Sequence, residues 1–290
     1  MPWRRGNRLT LLQEREASGR VAEVFEELKF ALGIGYVPVP FQAFAAYPAF
    51  LDALIKAMRP LLATREFFDS AARLRAEAYT DVHNYFKVAA IGEGLSAAEA
   101  AAEMELFGFV ESAMLLMLSV QSQAFEGPVG LDVAGHPAGL MAIMSSPDFV
   151  NSETTSPPVK RVLDEQRHLL ELAYYSDEQR SLTHSPELLF AYWRVLKPLL
   201  NTAIHERMVF DIRESAWKCA LEIPVQVNLE IAKLLEAGVG EEEIGIVGRM
   251  TELLARGAAI GLMNAMIGKI GMEGGNVSTP RVDEPEERVA

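Results

Sequence analysis

The chain repeats itself. Shifted by 138 residues and laid on itself without a gap, it places Val21 over Val159, Val24 over Val162, Glu27 over Glu165, Leu32 over Leu170 and Tyr36 over Tyr174. Pro48, Leu51 and Ala53 meet Pro186, Leu189 and Ala191. Pro60-Leu61-Leu62-x-Thr64 meets Pro198-Leu199-Leu200-x-Thr202, and Arg75 and Ala78 meet Arg213 and Ala216. These fourteen identities over about sixty positions exceed what chance gives in an Ala- and Leu-rich chain, so two copies of one structural unit are expected. After a six-residue insertion the match resumes weakly, with Gly94…Glu99 over Gly238…Glu243.

The unit is helical. Ser18 is a good N-cap, Val21, Val24, Phe25, Leu28 and Leu32 follow at helical spacing, and Gly33 can stop the helix. Pro48 suits a helix start, and that helix runs to about Ala63 with Pro60 near its last turn. A long helix is expected over 66–88. Ser96-x-x-Glu99 has the form of a capping box that opens another, and a separate apolar helix is expected over 109–123. The second copy ends in an Ala/Gly-rich helix over 241–269, where Gly257-x-x-x-Gly261 allows close packing. No stretch alternates with period two convincingly enough to be a strand. The expected fold is all-α, two tandem helical units packed with pseudo-two-fold symmetry. The first spans 1–126, a proline-rich linker 127–158 (with a short helix near 138–144), the second 159–273, and a disordered tail 274–290.

Charge and composition narrow the function. Net charge is −13, which phosphate backbones and anionic membranes repel, so neither nucleic acid nor a membrane surface is an expected partner. Arg4-Arg5 are followed by too short an apolar stretch for a signal segment, and the apolar runs over 113–120 and 257–263 are too short to span a bilayer, so a cytoplasmic location is expected. The single cysteine, Cys219, reads as a core thiol. His205-Glu206 lacks the second histidine of H-E-x-x-H, and the other histidines show no metal spacing, so neither metal nor cofactor is expected.

Two such units would leave a cleft between them, a favoured place for a ligand. The equivalent loops 33–40 and 171–178 would face it. The first offers Tyr36, Val37 and Val39, and the second Tyr174, Tyr175, Ser176, Asp177 and Glu178. The second copy thus carries carboxylates where the first has Val39 and Pro40, which points to a site specialised in one copy. A carboxylate against apolar walls has a raised pKa and can act as a general base. The bland alternative for Asp177 and Glu178 is an acidic first turn that favours the helix dipole, and the same holds for Glu111 ahead of the apolar run 113–118.

The stretches Ser18-Gly19 to Leu32, Tyr36, Phe44 to Leu51, Gly127-Pro128-Val129-Gly130, Gly135-His136-Pro137-x-Gly139 and the Pro186 region resemble the group I 2-haloacid dehalogenases, over roughly residues 16–270. Those enzymes act on both D- and L-2-haloacids. The resemblance implies an all-α fold with the site between two repeats. It also implies that an Asp and an Asn hold a water that displaces halide directly, without an ester intermediate and without a cofactor. By position the Asp falls at Asp177 or Glu178, and the Asn falls near Glu111, which is a departure. Such a site also needs an apolar cradle for halide and donors for a small carboxylic acid, a task suited to backbone N–H groups at a helix start. Each half is also faintly similar to the helical unit of the alkylhydroperoxidase/carboxymuconolactone decarboxylase group, whose peroxidase members need a C-x-x-C that this chain lacks. Two other readings stand beside this one. One is a different hydrolase or lyase that divides acid and base roles between Glu111 and Asp177 or Glu178. The other is a non-catalytic helical binding protein. A homodimer is compatible with all three.

Overall fold

The computed structural model describes residues 9–92, 94–139, 144, 146–147, 149 and 155–276. Among these the protein is all-α, with eleven α-helices. They are α1 (Gly19–Leu32), α2 (Val39–Phe44), α3 (Pro48–Leu62), α4 (Arg65–Tyr85), α5 (Leu95–Ala124), α6 (Pro157–Leu169), α7 (Asp177–Ser181), α8 (Pro186–Leu196), α9 (Ala203–Glu222), α10 (Ile231–Glu236) and α11 (Glu241–Met272).

Local chemistry sets these boundaries as the sequence suggests. Gly33 ends α1 in the left-handed conformation, with φ 65°. Pro48 and Pro186 occupy the first positions of α3 and α8, where a missing N–H costs nothing. Thr64 and Thr202 each cap the next helix by accepting a backbone N–H three residues on, from Phe67 and His205. Glu27 pairs with Arg59 at 2.6 Å between α1 and α3, and Glu165 pairs with Lys197 just beyond α8.

One expectation fails. The capping box at Ser96 and the apolar helix over 109–123 belong to a single helix, α5, whose N-cap is Gly94. No breaker lies between Leu95 and Ala124, and a helix once nucleated propagates through Gly108. The resulting thirty-residue α5 lies along the thirty-two-residue α11 in the most extensive helix contact of the fold. α4 and α9 each pack on both. A buried hydrogen bond from Gln121 to Thr251 ties the central pair together. α11 is long and apolar enough to cross a bilayer, a length not evident from the run 257–263. However, 83% of its most apolar window is buried inside the protein, as expected of a core helix. Around this centre α1 packs on α3 and α6 on α8, while short α7 touches both α5 and α11.

The start of the proline-rich segment is pinned down. Val129 and Val227 exchange backbone hydrogen bonds of 2.9 and 2.8 Å. His136 accepts the N–H of Arg65 through its carbonyl, and its own N–H and ring face the Glu66 carboxylate. The Gly135-His136-Pro137 stretch therefore anchors the start of α4. The expected short helix over 138–144 falls largely outside the described residues. Asn276, in the expected tail, is held by Val88 N–H and by the carbonyls of His83 and Phe86; residues 277–290 lie outside the described residues.

Candidate functional site

Where α7 meets α5 and α11, the fold gathers three carboxyl groups, two tyrosines and one arginine. Asp177 and Glu178 open α7, after extended Ser176, and both are buried, at 3% and 0% exposure. A buried carboxylate needs partners or it takes up a proton. The three acids meet this requirement differently.

Asp177 has a cation. Arg180, one turn along α7, donates from Nη1 to Asp177 Oδ1 at 2.8 Å. The backbone N–H of Val39, the first residue of α2, also bonds to Asp177. Burial raises the Asp177 pKa above its ordinary value, and Arg180 and the Val39 N–H oppose that rise.

Glu178 has only neutral partners. Asn264 of α11 donates to its Oε1 at 3.3 Å, Gln166 of α6 lies at 3.5 Å from the same oxygen, and among the described residues Oε2 has no partner. Burial first, and the adjacent Asp177 charge, push its pKa up to about 7 against Ser176, its own backbone N–H and Asn264. Because this folded-state value exceeds the unfolded one, the fold holds the proton more tightly. The resulting stability is complete below about pH 4.5 and is lost as pH rises to about 7. That swing corresponds to about 3 kcal/mol. Glu178→Gln keeps the Oε1 acceptor and removes the charge. Its denaturation midpoint is expected to exceed the parent's at pH 8 and to match it near pH 4.5, read by urea unfolding at both pH values.

Among the described residues Glu111 has no cation beside it. The residue as a whole is half-buried, but its carboxyl lies inside, against α11, where a Cβ on Gly261 would stand 2.9 Å from its carboxyl carbon. Burial, then the charges of Asp177 and Glu178, hold its pKa well above the usual range. Both effects favour the protonated form of Glu111, which can donate a hydrogen bond as an amide does.

Tyr36 and Tyr174, equivalent under the 138-residue shift, supply the hydroxyls. Both are buried, and both have pKa values raised well above 10, by burial first and then by Asp177, Glu111 and Glu178. Among the described residues the Tyr36 hydroxyl has no hydrogen-bond partner. Its ring packs edgewise on Phe149 at 5.1 Å and Phe107 at 6.3 Å, which makes an aromatic wall beside the acids. The Tyr174 hydroxyl occupies the space a side chain at Gly257 would fill. Gly257 and Gly261 thus make room for Tyr174 and Glu111, a more specific role than close helix packing. Gly257→Ala should cost about 1–3 kcal/mol through overlap with the Tyr174 oxygen. Gly257→Ala with Tyr174→Phe should recover part of that loss, measured by chemical denaturation of the single and double variants.

Not every expected residue joins the group. Tyr175 turns to α6, where its hydroxyl donates to Asp164 at 2.7 Å. The Ser176 hydroxyl is given to Gln166 at 3.0 Å. Val39 contributes its backbone N–H to Asp177, so the helix-start donor expected for a substrate is used by the protein itself. Arg180, Asn264 and Phe149 escaped the sequence reading. The i,i+3 spacing of Asp177 and Arg180 was the available signal for one, and a lone amide in the apolar run of α11 for another. Phe149 carried none. Beside Asn264 lies buried His205, whose pKa burial lowers to about 4, so the imidazole is neutral. Among the described residues no cluster of three metal-ligating side chains occurs.

Known proteins share this architecture and sequence. A (R)-2-haloacid dehalogenase from Rhizobium sp. (strain NHG3) is 21% identical over 231 residues, covering 75% of this chain and 89% of that protein. The crystal structure of a D-2-haloacid dehalogenase mutant superposes with a TM-score of 0.87 at 17% identity, over 92% of this chain and 97% of that one. The complex of a D-2-haloacid dehalogenase with L-LA gives 0.86 at 18% identity, with the same shares covered. At those identities the structures establish a common fold. The model of the halocarboxylic acid dehydrogenase DehI family matches residues 35–179, half of the sequence, from the loop bearing Tyr36 through Asp177 and Glu178. The chain belongs to the halocarboxylic acid dehydrogenase DehI family.

Proposed function

We propose that this protein is a hydrolytic dehalogenase of small 2-haloacids, of the group that accepts both D and L substrates. It would work by direct attack of a water held between Asp177 and Glu111. The observation that carries the reading is the division of the buried acids. Asp177 has a built-in cation, whereas among the described residues the charges that act on Glu111 are those of two carboxylates. Asp177 then serves as the charged base and Glu111 as the neutral donor. This resolves the departure at Glu111, because a protonated acid offers the donor that an asparagine would supply.

In the reaction, water oxygen bonds to C2 as the carbon–halogen bond breaks and the halide leaves with the bonding pair. Asp177 takes one water proton, and the product is the 2-hydroxy acid of inverted configuration. In this reading the Tyr36 hydroxyl, without a partner among the described residues, donates to the departing halide, and the rings of Phe107 and Phe149 that pack on Tyr36 supply an apolar wall. Charge forming in this dry interior is stabilised more strongly than in water.

The two halves are read as copies of one unit about a pseudo-two-fold axis. In support, α1, α2, α3 and α4 begin at 19, 39, 48 and 65, and α6, α7, α8 and α9 at 157, 177, 186 and 203, a constant shift of 138. The copies differ where the chemistry lies. The test is halide release from D- and L-2-chloropropionate by the purified protein, with the configuration of the lactate formed. Release from both enantiomers with inversion is expected, and no release from a panel of small 2-haloacids would reject the reading.

A further inference from the structure

We infer that Arg180 anchors the substrate carboxylate, so that one guanidinium serves both the base and the substrate. The inference rests on the dehalogenase site described above, and assigns the residue that orients its anionic substrate. Among the described residues, the Arg180 guanidinium is hydrogen-bonded only through Nη1, to Asp177 at 2.8 Å. That leaves Nε and Nη2, two donors of a planar fork suited to a carboxylate. The Arg180 side chain keeps 13% exposure where Asp177 keeps 3%, so it lies on the accessible side of the buried acid. Its guanidinium carbon sits 4.7 Å over the Phe149 ring, which fixes the plane of the fork and shields it from water.

The other half shows what this position does when no ligand has to be held. The residue 138 positions earlier is Gln42, whose amide is spent inside the protein. Its Nε2 donates to the Val37 carbonyl at 2.7 Å, and its Oε1 accepts from Gln13 at 3.1 Å. The first copy therefore uses this position to close its own loop. The second copy places there a cation with donors to spare, among three buried carboxyl groups. A carboxylate substrate entering such a site needs a positive charge to offset those acids. Arg180 supplies that charge.

Asp177 and the substrate carboxylate then compete for one arginine, which gives a signature that a purely structural Arg180 would lack. Binding of propionate, which has no halogen to lose, is measured by isothermal titration on the parent, Asp177→Asn, Arg180→Met and the double variant Asp177→Asn/Arg180→Met. Circular dichroism verifies that each is folded. Asp177→Asn should bind propionate at least threefold more tightly than the parent, because the negative charge that competes for its arginine is gone. Adding Arg180→Met to that variant should weaken propionate binding at least tenfold and leave the weak binding of propionamide unchanged. The double variant lacks both partners of the pair, so no unpaired buried charge confuses the result. Equal propionate affinity with and without Arg180 in the Asp177→Asn background would overturn the assignment. So would equal losses for propionate and propionamide. These are binding measurements, so they succeed or fail independently of halide release.

Discussion

Asp177→Asn should abolish halide release, with a loss of at least about a hundredfold in turnover, while the protein stays folded. The substitution keeps shape and size, and the amide oxygen it introduces can still accept from Arg180. What disappears is the carboxylate of the site whose negative charge is secured by a cation, Arg180 at 2.8 Å. Glu178→Gln should leave turnover within a few-fold of the parent, since the Glu178 carboxyl is engaged by Asn264 and Gln166 at the back of α7. The pair of variants separates two neighbouring acids. If Glu178→Gln is inactive and Asp177→Asn is active, the base is Glu178, and the unpartnered Oε2 is its working atom.

Glu111 should give the pH profile its alkaline limb. The scheme needs Asp177 deprotonated and Glu111 protonated, so turnover is bell-shaped. It falls as pH drops through the Asp177 pKa, which lies above the ordinary carboxylate value. It falls again as pH rises through the Glu111 pKa, which burial and the two neighbouring charges hold well above the usual range. Glu111→Asn supplies a donor that does not titrate. The alkaline limb should vanish in that variant, so that at high pH it outpaces the parent tenfold or more, with the acid limb unmoved. Glu111→Leu offers no donor and should lose activity at every pH. An alkaline limb that persists in Glu111→Asn assigns it to another group and removes Glu111 from the mechanism.

Much of the fold was legible because it rests on local chemistry repeated twice. Ser18, Gly33, Pro48 and the shifted Pro186 mark helix ends that the chain obeys to within a residue or two. The α5 boundary was misread because a capping-box pattern at Ser96 carries no information about whether a helix has already begun at Leu95. The acids of the site stood out because Val39 and Pro40 in one copy face Asp177 and Glu178 in the other. Their roles were not legible. The cation of Asp177 is local to α7, but which acid has amides and which has neither depends on contacts of α7 and α5 with α6 and α11, far apart in sequence. Gly257 and Gly261 could be read as small residues, but what they make room for could not. Tyr175 shows the limit of proximity in sequence: it neighbours Tyr174, yet bonds to Asp164 on α6.

The central claim is that water held by Asp177 attacks C2 directly. It is tested most directly by a single turnover in ¹⁸O-water, with enzyme in excess over 2-chloropropionate and both lactate and protein read by mass spectrometry. Direct attack puts ¹⁸O into the lactate in that first turnover and leaves the peptide bearing Asp177 unlabelled. Unlabelled lactate with ¹⁸O retained in that peptide would show that a carboxylate, not water, had displaced the halide.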